Sequence, residues 1–103
     1  MKNDISILNI NKIFESKVRL SIISVLMGSE TIDFNELKNI LKLTDGNLAS
    51  HISTLEKNGF IKSKKKIIGK KTNTSFVITE KGKKEFKMYL DELERYFMNK
   101  TEF

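Results

Sequence analysis

The sequence is 103 residues long and 39% hydrophobic, and its nineteen Lys and Arg against thirteen Asp and Glu give a formal net charge of +6. That length supports one compact core and not two, and the charge favours polyanionic partners, nucleic acid or an acidic membrane surface. The absence of Cys excludes disulfides, thiolate metal sites and cysteine nucleophiles. Together with an N-terminus that lacks a signal-type apolar run, and no apolar stretch of membrane-spanning length, it leads us to expect a cytoplasmic protein.

From Ile13 to Met27, apolar residues recur at helical spacing, with Val18, Ile22, Val25 and Leu26 on one face. This predicts a first core helix, ended by Gly28. Leu20 falls on its opposite side, where a second packing surface is expected. Asp33 then precedes Phe34, Leu37, Ile40 and Leu41, and Glu36 follows it by three, the spacing of a capping box. Helix two is expected from about Phe34 to Leu41.

Only Lys42 and Leu43 separate that helix from Thr44, an N-cap for the backbone of Asn47, with Asp45 favourable at the positive end of the dipole. On helix three, Leu48, Ile52 and Leu55 form the inward stripe. Asn47, Ser50 and Thr54 share the other side within an arc of roughly 60°. Asn58-Gly59 stops the helix.

Phe60-Ile61 and Ile67-Ile68 bracket a lysine-rich strand, Gly69 to Asn73 reads as a loop, and Ser75 to Ile78 as a returning strand. Six lysines and no acid lie between Lys62 and Lys71. Strand alternation puts Lys62, Lys64 and Lys66 on one face and Lys65 on the other, so Lys70 and Lys71 beside Gly69 are the more specific phosphate-binding candidates. Thr79 caps a last helix expected from Glu80 into the low one-hundreds. Its stripe of Phe86, Leu90, Leu93 and Phe97, flanked by Tyr89 and Tyr96, is too long for a small core to cover.

Two helices joined by a tight turn make a helix-turn-helix, whose second helix enters the major groove. Asn pairs with adenine in bidentate fashion and small residues permit close approach, so Asn47 is the first candidate for a base contact, followed by Ser50 and Thr54. Gly46 costs helix stability, which a close approach of the backbone to DNA or to another helix would explain. His51, the sole histidine, borders the inward stripe and suits packing or a DNA-backbone contact. No second imidazole or thiolate exists to complete a metal site around it.

The order helix, helix, turn, helix, basic hairpin, long helix resembles the winged helix-turn-helix transcriptional regulators of the MarR/ArsR type. More narrowly, TDGNLASHISTLEKNGFI followed by G-K-K and V-I-T-E-K-G, within a match from about Val18 to Gly82, is similar to a small winged-helix DNA-binding family of single-domain regulators. The resemblance implies an α+β, mainly α fold: a three-helix core, a two-stranded β wing and a long C-terminal helix. It also implies a homodimer on operator DNA, with helix three in the major groove and the wing on the adjacent minor groove. Thr44, Gly46, Asn47, Ser50, His51 and Thr54 then belong to the reading helix. Lys66 and the tip from Lys70 and Lys71 through Thr72, Asn73 and Thr74 belong to the wing. The core would span about residues 13–82, and Phe86, Tyr89, Leu90, Leu93, Tyr96 and Phe97 would form the dimer face with Leu20 and the Ile5 to Phe14 segment. Related wings usually carry Pro then Arg where this chain has Thr72 and Asn73, so Lys70 or Lys71 must supply that charge.

No cofactor is expected, and a small-molecule effector is left open. An enzyme is the least supported class, since no phosphate loop, cysteine nucleophile or oriented histidine is present. The stronger rival is a winged-helix module for protein or RNA interaction, for which the outer face of helix three would more often be acidic or apolar. A membrane-surface protein fits less well, because the lysines lie on a hairpin and not opposite an apolar helix face.

Overall fold

The computed structural model describes residues 12–101. A 3-10 turn (Lys12–Glu15) leads into α1 (Lys17–Met27), β1 (Ile32–Asp33), α2 (Phe34–Leu41), α3 (Asp45–Lys57), β2 (Ile61–Ile68), β3 (Lys71–Ile78) and α4 (Glu80–Thr101). The first helix starts later than its apolar spacing suggests because Ser16 caps it, its side chain accepting from the Arg19 N–H at 3.2 Å. Ile22, Ile23 and Leu26 are fully buried and Val18, Val25 and Leu20 pack at the edge of the core. Ile23 was outside the expected stripe and is buried because α1 is packed by α2, α3, β3 and α4 together.

The capping box of α2 is present in both directions. Glu36 N–H donates to Asp33 Oδ1 at 2.8 Å and Asp33 N–H donates to Glu36 Oε1 at 3.0 Å. Leu37 is buried and Phe34 and Leu41 are half-buried, whereas Ile40, expected on the same face, is exposed. At 100° per residue Ile40 falls roughly 60° outside the arc shared by the other three. The helix ends at Lys42 in the left-handed conformation, φ 55°, and Leu43 N–H donates to Lys38 O at 3.1 Å. This sharp reversal makes the turn between α2 and α3.

Helix α3 buries Leu48, Ile52 and Leu55 as its spacing requires. It closes in a Schellman arrangement: Gly59 N–H reaches Glu56 O at 2.9 Å and Phe60 N–H reaches Leu55 O at 3.0 Å. Gly59 takes φ 77°, a conformation that glycine adopts without a Cβ penalty. Thr79 ties this terminus to the next element. Its hydroxyl donates to Gly59 O at 2.6 Å and accepts from Gly82 N–H at 2.9 Å, so it caps α4 while holding the end of α3.

Gly82 fits the same junction, since a Cβ there would overlap the Phe60 carbonyl.

The sheet has three antiparallel strands in the order β1-β3-β2, one more than the expected two-stranded wing. The extra strand pairs Ile32 with Phe76 and Asp33 with Ser75; at two residues it is too short to show alternation in sequence. The expected loop over Gly69 to Asn73 is also shorter. Ile68 pairs with Lys71 across a two-residue turn, Gly69-Lys70, and Gly69 alone has positive φ, 64°, the pattern of a type II′ hairpin turn.

One core links these elements. Phe14 stacks on Phe60 at 5.5 Å, meets Phe86 edge-on at 5.9 Å and lies 5.2 Å from Tyr89. Phe86 is therefore a core residue, not part of an exposed dimer face, because Phe14 turns back over the first turns of α4 and covers it. Phe14 is likewise buried, and Ile5 to Asn11 of the expected N-terminal interface lie outside the described residues. Beyond Tyr89, α4 leaves the core, and Leu90 and Phe97 are 46% and 59% exposed.

Candidate nucleic-acid interface

The outer side of α3 is built from small polar residues on a rigid base. Gly46, Asn47 and Ser50 are exposed and His51 and Thr54 are half-buried, while the inward residues are locked into the core. Thr44 acts first as a cap, its hydroxyl accepting from Asn47 N–H at 3.2 Å. Thr54 spends its hydroxyl within the helix, donating to Ser50 O at 3.3 Å. Asn47 and Ser50 are thus the side chains best placed for an outside partner. Among the described residues, a Cβ on Gly46 would meet nothing within 4 Å, so none of the described helices accounts for that glycine.

Two contacts orient α3 that the sequence did not reveal. Lys38 Nζ of α2 lies 2.7 Å from Asp45 Oδ1, spanning the turn and offsetting the one acid in the first turn of α3. Exposed pairs of this kind contribute about 0.2–1 kcal/mol, so orientation and charge balance are its main effects. The second contact joins Arg19 to His51. Arg19 Nε donates to Ile13 O at 2.9 Å and its Nη1 lies 3.2 Å from His51 Nδ1. Arginine has no acceptor, so Nδ1 accepts and the neutral ring carries its proton on Nε2. Burial, and then the Arg19 charge, hold His51 below the ordinary imidazole value. Both contacts join residues from different helices, and no local spacing signals them.

In the wing, the register settles which side chains share a face. Buried Ile61 and Phe76 place Ser63, Lys65, Ile67, Thr72 and Thr74 on the core-side face, and Lys62, Lys64, Lys66, Ile68 and Lys71 on the other. The alternation expected for the lysines holds, and Lys71 joins the Lys62, Lys64, Lys66 row. Thr72, Asn73 and Thr74 are not at the tip. They belong to β3, opposite Ile67, Lys66 and Lys65, and line a shallow groove with Asp33, Phe34 and Asn35. The tip consists of Gly69 and Lys70, flanked by Ile68 and Lys71.

Among the described residues, no cluster of His, Asp or Glu could hold a metal ion, and no helix is long and apolar enough to cross a membrane. The arrangement is a small, polar helix face beside a cationic ribbon.

Comparison with known proteins agrees with this architecture. A family model described as a winged helix DNA-binding domain matches residues 18–97. The uncharacterized protein MJ0432 of Methanocaldococcus jannaschii is 46% identical over 82 residues, covering 80% of this chain and 89% of that protein. The solved structure of a transcriptional regulator homologue from Pyrococcus horikoshii OT3 superimposes with a TM-score of 0.87 at 33% identity, covering 98% of this chain and 99% of the other. A MarR protein from Peptoclostridium difficile DA00132 shares the fold at a TM-score of 0.67 and 20% identity, covering 92% of this chain and 61% of its own. On the family match and the identity to the Pyrococcus protein, the chain belongs to the winged helix DNA-binding domain family.

Proposed function

We propose that the chain is a cytoplasmic, sequence-specific double-stranded DNA-binding transcriptional regulator acting as a homodimer, with α3 in the major groove and the basic wing on the flanking groove. The observation that carries this reading is the outer face of α3. Asn47 and Ser50 stand exposed on a helix whose other side is anchored by three buried residues, and the adjoining hairpin presents six lysines without an acid. Phosphate contacts then supply affinity and Asn47 supplies discrimination.

Selection of preferred sequences from a random duplex pool, followed by comparison of selected and unselected DNA, tests the reading. Asn47→Ala should cost about 1–3 kcal/mol on the selected site and little on random duplex. Failure to enrich any sequence, or tighter retention of single-stranded RNA than of duplex DNA, would favour the protein- or RNA-binding module instead.

A further inference from the structure

The most exposed large apolar residue among those described, Ile67, lies on a strand and not on a helix. Ile67 is 80% exposed and Ile68 is 60% exposed, and they occupy successive positions immediately before the wing turn. Strand alternation sends them to opposite faces, so the end of the ribbon is flanked by an aliphatic side chain on each side. The two-residue Gly69-Lys70 turn keeps this end narrow, and the register brings Thr72 opposite Ile67 and Lys71 opposite Ile68. Lys65, Lys66, Lys70 and Lys71 surround the pair, with no acid in the segment.

We infer that Ile67 and Ile68 form an apolar wedge with which the wing packs against the walls of a DNA minor groove, supplying a non-ionic part of binding beside the lysine contacts. The inference rests on the DNA-binding reading above and adds a mechanism to it. Two considerations choose this occupant. A ring of lysines without acids attracts a polyanion, and would repel the same surface on a second copy of the chain. A tip two residues wide with branched aliphatics on both flanks also suits a narrow groove, where apolar side chains recur as wedges among minor-groove binders. Thr72 and Asn73 lie back along β3, and Ile68 directly precedes the Gly69-Lys70 turn, so the isoleucines are the apolar groups placed beside the tip to displace water from the groove wall.

The two contributions separate in a salt titration. Ionic contacts set the slope of log affinity against log salt, and non-ionic contacts persist at molar salt. The full chain is titrated with long mixed-sequence duplex DNA as wild type, as Ile67→Thr/Ile68→Thr, and as Ile67→Leu/Ile68→Leu. Threonine keeps the β-branched shape that a strand favours, and both sites are exposed, so the thermal transition serves as the folding check. The threonine pair should keep the wild-type slope and lose about tenfold in affinity extrapolated to molar salt, and the leucine pair should restore it. An unchanged extrapolated affinity overturns the wedge. Loss of binding to phosphatidylserine vesicles, with DNA affinity unaltered, also overturns it and assigns the tip to a membrane surface. A wild-type chain that binds no duplex at all fails the DNA-binding reading itself, a different result from duplex binding indifferent to the two isoleucines.

Discussion

Arg19 of the first helix lies with Nη1 3.2 Å from Nδ1 of His51 on α3, and its Nε is held by the Ile13 carbonyl at 2.9 Å. The pair couples the tilt of α3 to α1 and to the N-terminal turn, because a rigid guanidinium is fixed at two points. It functions only while His51 is neutral. A protonated ring would lose its acceptor at Nδ1 and place a second positive charge against Arg19.

This arrangement sets a pH dependence. Burial and Arg19 lower the His51 pKa in the folded state, whereas the unfolded chain takes up its proton near the ordinary value of about 6.5. The unfolded state therefore binds more protons between the two values, and stability rises with pH across that window. The contribution is fully present above about 6.5 and is lost as the pH falls through the lower folded value. His51→Gln should flatten this dependence in urea titrations at a series of pH values. If wild type and variant lose stability in parallel below that pH, the Arg19–His51 contact does not control it.

The helices, their caps and the location of the wing were legible in the sequence because each rests on local chemistry. Asp33 and Glu36, Thr44, Asn58-Gly59 and Thr79 act on backbone groups within a few residues of themselves, so spacing alone reveals them. The misplaced features have other causes, some local and some resting on partners distant in the chain. Ile40 is exposed because α2 offers the core a narrower arc than its apolar count suggests, and Phe86 is buried because Phe14, seventy-two positions earlier, folds over it. The shortness of the wing loop depended on Gly69 alone taking positive φ, and the Arg19–His51 and Lys38–Asp45 contacts carry no sequence signature.

Gly46 separates structural from functional demand. Its site is open among the described residues and lies in the first turn of α3, so alanine should stabilise the fold by up to about 1 kcal/mol. If the backbone approaches DNA closely, the same Gly46→Ala change should weaken duplex binding despite the added stability. Thermal melting and DNA titration of one variant give both answers, and equal or tighter binding would show that no close approach occurs at this residue.

The lysines of the wing should act through charge. Lys70 is in the turn and Lys71 joins the Lys62, Lys64, Lys66 row. Lys70→Ala with Lys71→Ala should therefore weaken binding to every duplex, and reduce the salt slope by about one to two. An unaltered slope would exclude these two side chains from phosphate contact.

The last prediction concerns assembly. Helix α4 is 22 residues long, roughly 33 Å at 1.5 Å per residue, and its beginning is covered by Phe14 and Phe60. Further along, Leu90 and Phe97 are seven residues apart on one face and largely exposed, and Leu93 lies half-buried between them. Tyr96 meets Phe97 edge-on at 5.8 Å, extending the aromatic surface. A stripe carrying exposed apolar residues of this kind invites association, and a two-fold pairing of α4 helices would cover Leu90 and Phe97 while presenting two copies of α3 to one duplex. Leu90→Glu with Phe97→Glu should weaken self-association by at least about 2 kcal/mol, and lower affinity for a two-site operator far more than for a single half-site. Both residues are exposed in the single chain, so the variant should remain folded by circular dichroism. Sedimentation equilibrium measures the association directly. A wild-type chain that sediments as a monomer while binding a two-site operator tightly would remove the α4 face from the DNA-binding assembly and leave the helix as an extension of its own core.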